Sequence, residues 1–390
     1  MTCITPGAIW PDTDGIHINA HGGGILFDAG TYYWFGEHRG DGSAGYNAKV
    51  GVTCYSSTDL VHWKNEGVAL RVTEHGGPQT RADGYDIIYD KIGLDGNTDV
   101  PHGTYRIIEP GWEIEIGCIL ERPKVIRSSA TGKYVMWFHL EFRGYGYGPA
   151  HVGVAVSDQP TGPYRFVEAF RPGNGESRDM TLFVDEEGQS YHIGASENND
   201  TIHINPLTPD CLRCTGETVR VFVGRRMEAP AFFHHRGKYY FMGSGCSGWN
   251  PNIARSAVAD SFRGPWTELG NPCIGPNADR TFGSQSTFFL KVQGKQDAFI
   301  YMGDRWNSKN LIDSRYIWLP VSFEDDRFVL RWQDTWDLDA TYIPHSFAGP
   351  FSTCQRVTSA TLALADREGF THDRALKPCV TPAYVNSRQA

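Results

Sequence analysis

Residues 30–37 read GTYYWFGE, and the phrase returns as GKYVMWFH (132–139), QSYHIGAS (189–196), GKYYFMGS (237–244) and DAFIYMGD (297–304). Each copy opens in a turn, runs through aromatic or β-branched residues and closes on small or polar ones. Most follow a further short strand that itself ends in a turn: GGILFDAG, PKVIRSSATG, MTLFVDEEG and PAFFHHRG. Aromatic and β-branched side chains suit a pleated, half-buried surface, and the Gly-containing turns join these runs as hairpins. A second phrase follows several copies: VGVTCYSSTDLVHWKNEG (50–67), VGVAVSDQPTGPYRFV (152–167) and IARSAVADSFRGPWTEL (253–269). It reads as strand, Ser- or Asp-bearing turn, and strand. Four strands per unit and five units predict an all-β protein, a five-bladed β-propeller. Helical periodicity is weak throughout.

The expected division is a propeller over 1–340, followed by closing strands and an exposed tail over 341–390. The stretch 71–118 is a long insertion in the first unit, expected to form a rim. The totals agree with this class. Of 390 residues, 40% are hydrophobic and 13% aromatic, and 44 Gly and 22 Pro supply the turns. No apolar run approaches the length of a membrane span. A net charge of −9 argues against nucleic acid or an anionic membrane as a general partner and leaves small neutral ligands open. The abundant Trp and Tyr suit sugar rings. The start, MTCITPGAIWPDTDG, shows no signal-peptide pattern, which fits either a cytoplasmic protein or a mature secreted chain. Cys211 and Cys214 form a lone C-x-x-C with no second pair to complete a zinc site. Oligomeric state is not legible.

In a five-bladed propeller the innermost strands face a common axis, so residues at their starts converge. Glu121 in LERPKVI, Asp179 in SRDMTLF, Glu228 in MEAPAFF and Gln285 in GSQSTFF all stand at or just before the first strand of a unit. The periodicity predicts one polar pocket; the plainer reading is that such residues only satisfy turn backbone.

At these residues the chain resembles glycoside hydrolase family 43. The likeness covers about 8–340 and is carried by WPDTDGIHINAHGGGILFDAGTYYWFGE, YSSTDLVHW, ERPKVI, SRDMTLFVDEEGQSY, MEAPAFF, GKYYFMGSGCSGWNPN and SQST, in order and at unit spacing. Within the family it looks most like the exo-β-1,3-galactanase branch. The resemblance implies that Glu228 is the general acid and that Asp179 tunes its pKa. Most members place a base Asp at the first strand of the first blade, but here that stretch is NAHGGGILF, without a carboxylate. In the galactanase branch a Gln matching Gln285 positions the water, and a Glu matching Glu121 lies close to the reacting sugar. Whether Gln285 or Glu121 acts as base stays open. Some members hold calcium on the axis; no cofactor is required, and these residues do not establish a calcium site.

Further candidates are substrate contacts. Glu37 ends the first copy of the repeat and could bind sugar hydroxyls, or pair with Arg39 or Arg122. Glu197 and Asp304 occupy the same strand-end position. Trp249 could be an aromatic platform or core, and Tyr145 and Tyr147 sit in a Gly-rich loop suited to a rim. His21 is either a hydrogen-bonding contact or a satisfied structural residue, and Thr287 in SQST completes the set. The triple Gly at 22–24 lacks dinucleotide spacing and is expected to let backbone approach the axis closely. No G-x-S-x-G elbow or P-loop occurs.

These readings predict an inverting exo-glycosidase acting on an oligo- or polysaccharide, β-1,3-galactan first. An α-L-arabinofuranosidase or β-xylosidase is the alternative within the family, against which the missing Asp counts. A carbohydrate-binding propeller without catalysis is the alternative of another class.

Overall fold

The computed structural model describes residues 3–74 and 112–342, which fall in one compact unit. Most of the expected rim insertion (75–111) and of the expected closing segment and tail (343–390) lie outside the described residues. Strand β1 (Cys3–Ile4) comes first. The first blade is β2 (His21–Asp28), β3 (Thr31–Glu37), β4 (Gly51–Ser57) and β5 (Lys64–Arg71). The second is β6 (Ile119–Arg127), β7 (Tyr134–Glu141), β8 (His151–Ser157) and β9 (Arg165–Phe170). The third is β10 (Met180–Val184), β11 (Ser190–Ser196), β12 (Thr201–Pro206) and β13 (Val219–Val221). The fourth is β14 (Met227–His235), β15 (Lys238–Gly245), β16 (Arg255–Ala259) and β17 (Thr267–Gly270). In the fifth, β18 (Cys273–Ile274) pairs in parallel with the outermost strand of β19 (Gln285–Lys291), β20 (Phe299–Arg305), β21 (Arg315–Glu324) and β22 (Arg327–Arg331). Finally β23 (Trp336–Asp337) pairs with β1.

Each blade is an antiparallel meander, and the first strands touch one another in sequence: β2 to β6, β6 to β10, β10 to β14, β14 to β19 and β19 back to β2. The ring is closed and is the five-bladed propeller that the repeat predicts. The repeated phrase is the second strand of each blade. Its aromatics fill the spaces between sheets. Trp34, Trp63, Trp318 and Trp336, all under 4% exposed, pack with Ile4 between the first and fifth blades. Burying each such side chain contributes on the order of 1.5–3 kcal/mol.

The innermost strands are not regular. Pairing with the second strand slips between His21 and Gly24, Glu121 and Lys124, Glu228 and Ala231, and Ser286 and Phe288. At the first three bulges one residue turns left-handed: Gly22 (φ +58°), Arg122 (+56°) and Ala229 (+56°). A bulge re-aims the side chain beside it and is common next to active sites. The triple Gly follows from close packing, as expected. A Cβ on Gly22 would overlap the Glu37 carboxylate, and one on Gly24 would lie 2.5 Å from Lys124 Cδ.

Across each bulge the register pairs a first-strand residue with the last residue of the repeated phrase: His21 with Glu37, Glu121 with His139, Glu228 with Ser244 and Gln285 with Asp304.

Candidate active site

A pocket of ≈ 430 Å³ opens where the first strands begin, and Glu121, Arg122, Asp179, Glu228 and Gln285 all line it. Four blades therefore contribute to one set of polar walls.

Arg122 is the hub. The left-handed turn at its own backbone aims its side chain along the wall, where Nε and Nη2 donate to Asp179 Oδ1 and Oδ2 at 3.0 and 2.7 Å. Nη2 also donates to Gln285 Oε1 at 2.6 Å, and Nη1 to the Ser286 carbonyl at 3.0 Å. This planar fork fixes the carboxylate and the amide together.

Gln285 uses all of its hydrogen-bonding capacity on protein groups. Its oxygen accepts from Arg122 and from Trp306 Nε1 (3.1 Å), and two donors there leave no ambiguity about which end of the amide is oxygen. Its nitrogen donates to Glu228 Oε1 (3.0 Å) and Ser244 Oγ (3.1 Å). Glu228 is pushed up to about 8, chiefly by burial and then by the charge of Asp179, with Arg122 and Gln285 opposing. Because Gln285 donates to Oε1, the acidic proton of Glu228 belongs on Oε2.

Glu121 is the opposite case. Burial works against its charge, but Arg39, whose Nη2 donates to Oε1 at 2.9 Å, and His139 outweigh burial and hold it below the usual carboxylate range. Tyr147, 43% exposed at the pocket edge, donates its hydroxyl to the same oxygen at 3.3 Å. Two carboxyl groups in one pocket are thus driven apart in acidity, the arrangement that separates an acid from a permanent charge.

The other sequence candidates divide. Trp249 lines the pocket and meets Trp306 edge-on, with ring centroids 5.4 Å apart. The Arg39 guanidinium carbon lies 5.6 and 5.1 Å from these two ring centroids. Tyr145 instead packs against Phe142 in the second-blade core. Glu37 lies beneath the pocket wall, 2% exposed and 3.0 Å from Arg39 Nη2, which is the ion-pair alternative. Burial first, with the Glu121 charge adding to it against Arg39, pushes it up to about 8. His21 and Asp304 are buried against each other (Nδ1 to Oδ1, 3.0 Å), and Asp304 Oδ2 also accepts from the Gly22 amide. Asp304 borders a small crevice behind Gln285 and Trp306. Thr287 is spent on the Gly23 carbonyl at 2.8 Å. Glu197 is occupied by Arg220, Thr201 and His203, which lower it to about 2.

The sequence reading did not single out Arg39, Tyr46, Arg122, His139, Arg178, Asn199 or Trp306 as wall residues. A signal existed for two of them. Arg122 directly follows Glu121 in ERPK, and His139 ends the repeated phrase opposite Glu121.

Among the described residues, only Glu121, His139 and Asp179 gather ligand atoms as a metal site would, within 4.8 Å of one another. They fit a dication poorly, since Arg39 and Arg122 already neutralise both carboxylates. An axial calcium fits no better. Lys124, 2% exposed, donates Nζ to the Gly22 carbonyl at 2.8 Å and the Arg122 carbonyl at 3.3 Å, between the innermost strands of the first two blades. Cys211 and Cys214 are free thiols outside this cluster.

The sequence pattern of glycosyl hydrolases family 43 matches residues 126–326, just over half of the chain. A GH43 β-1,3-galactosidase, solved with galactodeoxynojirimycin, is 43% identical, with 86% of this chain and 100% of that one covered and a TM-score of 0.74. The chain belongs to glycosyl hydrolase family 43. A second GH43 β-1,3-galactosidase is 40% identical over 87% of this chain, which spans 64% of that one, at a TM-score of 0.73. The exo-β-1,3-galactanase of Phanerochaete chrysosporium, solved with β-1,3-galactotriose, is 33% identical over 87% of this chain and 69% of its own, at a TM-score of 0.71. No curated protein matches the sequence significantly. As a family 43 glycoside hydrolase, the chain acts on oligo- or polysaccharides.

Proposed function

We propose that this chain is an exo-acting, inverting glycosidase that releases galactose from β-1,3-galactan or its oligosaccharides. The observation that carries the mechanism is Glu228: a carboxyl on the pocket wall, pushed up to about 8, with Oε1 tied to Gln285, which leaves Oε2 to carry the proton. That is a general acid at neutral pH. The galactose specificity rests on the β-1,3-galactosidases and the exo-β-1,3-galactanase to which the chain is similar over most of its described length.

Glu228 gives its proton to the glycosidic oxygen as the bond to C1 breaks, and Asp179, clamped by Arg122, keeps the acid protonated until then. The ionised Glu121 stabilises positive charge developing at C1. A water attacks C1 from the face opposite the leaving group, guided by Gln285 with Glu121. The new C1 oxygen is strongly acidic until it loses a proton, so a weakly basic amide oxygen suffices to pass that proton to solvent. For the sugar and water to lie between them, Gln285 must first part from Glu228, whose Oε1 it holds at 3.0 Å, and free its oxygen from Trp306, the weaker of its two donors at 3.1 Å.

The test is hydrolysis of β-1,3-galactobiose followed by NMR, so that the anomer released first is seen. Release of α-galactose supports the reading. Cleavage of an arabinoside or xyloside in its place removes the galactanase assignment and keeps the acid. No cleavage across a panel of glycosides favours the binding propeller.

A further inference from the structure

His139 sits at the pocket wall between two carboxylates and has no part in the scheme above. Its Nε2 lies 2.8 Å from Glu141 Oε1, and its Nδ1 lies 3.6 Å from Glu121 Oε2. Glu141 is fully buried, and its other oxygen accepts the Ala150 amide at 2.7 Å, so its orientation is fixed from outside the pocket. A carboxylate only accepts, so Nε2 carries a proton. Nδ1 is buried, has no hydrogen-bond partner among the described residues, and faces a carboxylate that Arg39 holds ionised. A lone pair there would face like charge at 3.6 Å in a buried place; a proton turns that repulsion into attraction.

We infer that His139, held by Glu141, is a positioning residue: its imidazolium joins Arg39 in keeping Glu121 ionised and holds it aimed at the reacting sugar. With Glu37, also beside Arg39, held protonated by burial, the charges then balance, with Arg39 and His139 against Glu121 and Glu141, and Arg122 against Asp179. The groups facing the ring are Glu121 from β6, Glu141 on its own strand, Tyr147 with its ring centroid 5.9 Å away, and His151 from β8. An Asp179 oxygen also lies within 4.8 Å of a ring nitrogen, and Arg39 stands behind Glu121. Burial opposes the ring's charge, but Glu121 and Glu141 together raise it to about 9, consistent with the geometry. Glu121 is then a fixed charge and not the acceptor of the water's proton, which leaves Gln285 to guide the water. This deepens the proposed mechanism and rests on it.

The test is ¹⁵N-histidine NMR of the full chain, wild type against Glu141→Gln, with kcat and KM for each. In Glu141→Gln the new amide oxygen takes the Ala150 amide and its NH2 faces Nε2. The ring should turn neutral, with its single proton on Nδ1. Wild type should show His139 protonated on both nitrogens up to about pH 8, and Glu141→Gln a neutral ring at about pH 7. kcat should fall about tenfold or more with KM moving less, and Glu141→Asp should recover part of the loss. A singly protonated wild-type ring at about pH 7 overturns the inference, whether or not the variant folds. So does a charged ring whose loss in Glu141→Gln costs no activity. Ring titration is read without substrate, so its failure is distinct from failure of the galactanase reading.

Discussion

Gln285 donates from its amide nitrogen to Glu228 at 3.0 Å while its oxygen receives Arg122 at 2.6 Å. One amide thus touches both the candidate acid and the guanidinium that clamps Asp179. It cannot be altered without being felt at both ends, and the two ends respond differently to different substitutions.

Gln285→Ala removes the acceptor of Arg122 and Trp306 and the donor to Glu228, and kcat should fall about 10²–10³-fold. Gln285→Glu keeps the acceptors but sets a second carboxyl against Glu228. Like charges raise each other's pKa, so the alkaline limb of its pH–rate profile should move upward even as kcat falls. Steady-state profiles of both variants on one galactoside check this.

Glu228→Gln should lower kcat by about 10³-fold on an alkyl galactoside, and by much less on one whose leaving group needs no proton. Its stability has a definite sign. Glu228 titrates near 8 in the folded protein against 4.5 as its ordinary value, so the folded state holds a proton that the unfolded state has lost. Wild type therefore loses stability as pH rises from about 4.5 through about 8. Glu228→Gln should melt higher than wild type at pH 8, and the gap should close toward pH 4.5. Thermal scans at several pH values read this directly.

Asp179→Asn removes a negative charge beside Glu228 and frees the Arg122 fork. Both changes favour the ionised acid. The alkaline limb of kcat/KM should move to lower pH by about one unit or more, the opposite direction from Gln285→Glu. Comparing the two profiles separates loss of acidity control from general damage.

Trp249 presents its ring to the pocket beside Trp306. Trp249→Ala should raise KM about tenfold with a smaller change in kcat, as expected of an aromatic face lost to a sugar ring. Binding of galactodeoxynojirimycin, measured calorimetrically, should weaken in parallel.

Chelators should leave activity unchanged, and added calcium should not raise the melting temperature. Lys124→Met is the informative partner experiment. It leaves the Gly22 carbonyl without its donor and should destabilise by about 1–3 kcal/mol.

The repeat made the five blades legible because each hairpin carries its own pattern of aromatic filling and turn residues. The four carboxyl and amide residues of the wall were legible for a related reason, since each stands where a first strand begins. The strand-end carboxylates were harder. Glu37 and Asp304 end second strands, one layer out from the axis, where they meet Arg39 in one case and His21 and the Gly22 amide in the other. The sequence does not show the bulges that decide which of two paired residues faces the pocket and which is covered. ERPK places Arg122 beside Glu121, but not its reach along the wall, which follows from a left-handed backbone that a non-glycine residue does not announce.

The pairing of β1 with β23 bears on how the molecule is made. Cys3 and Ile4 align with Asp337 and Trp336, so the earliest strand finds its partner only after every blade has been synthesised. Blades can form one by one as local hairpins emerge from the ribosome, but the ring cannot shut until the end. Until then Ile4, Trp34 and Trp318 lack the shared cover they have in the finished core. During synthesis the greatest exposure to aggregation and to chaperones therefore falls at the seam between the first and fifth blades.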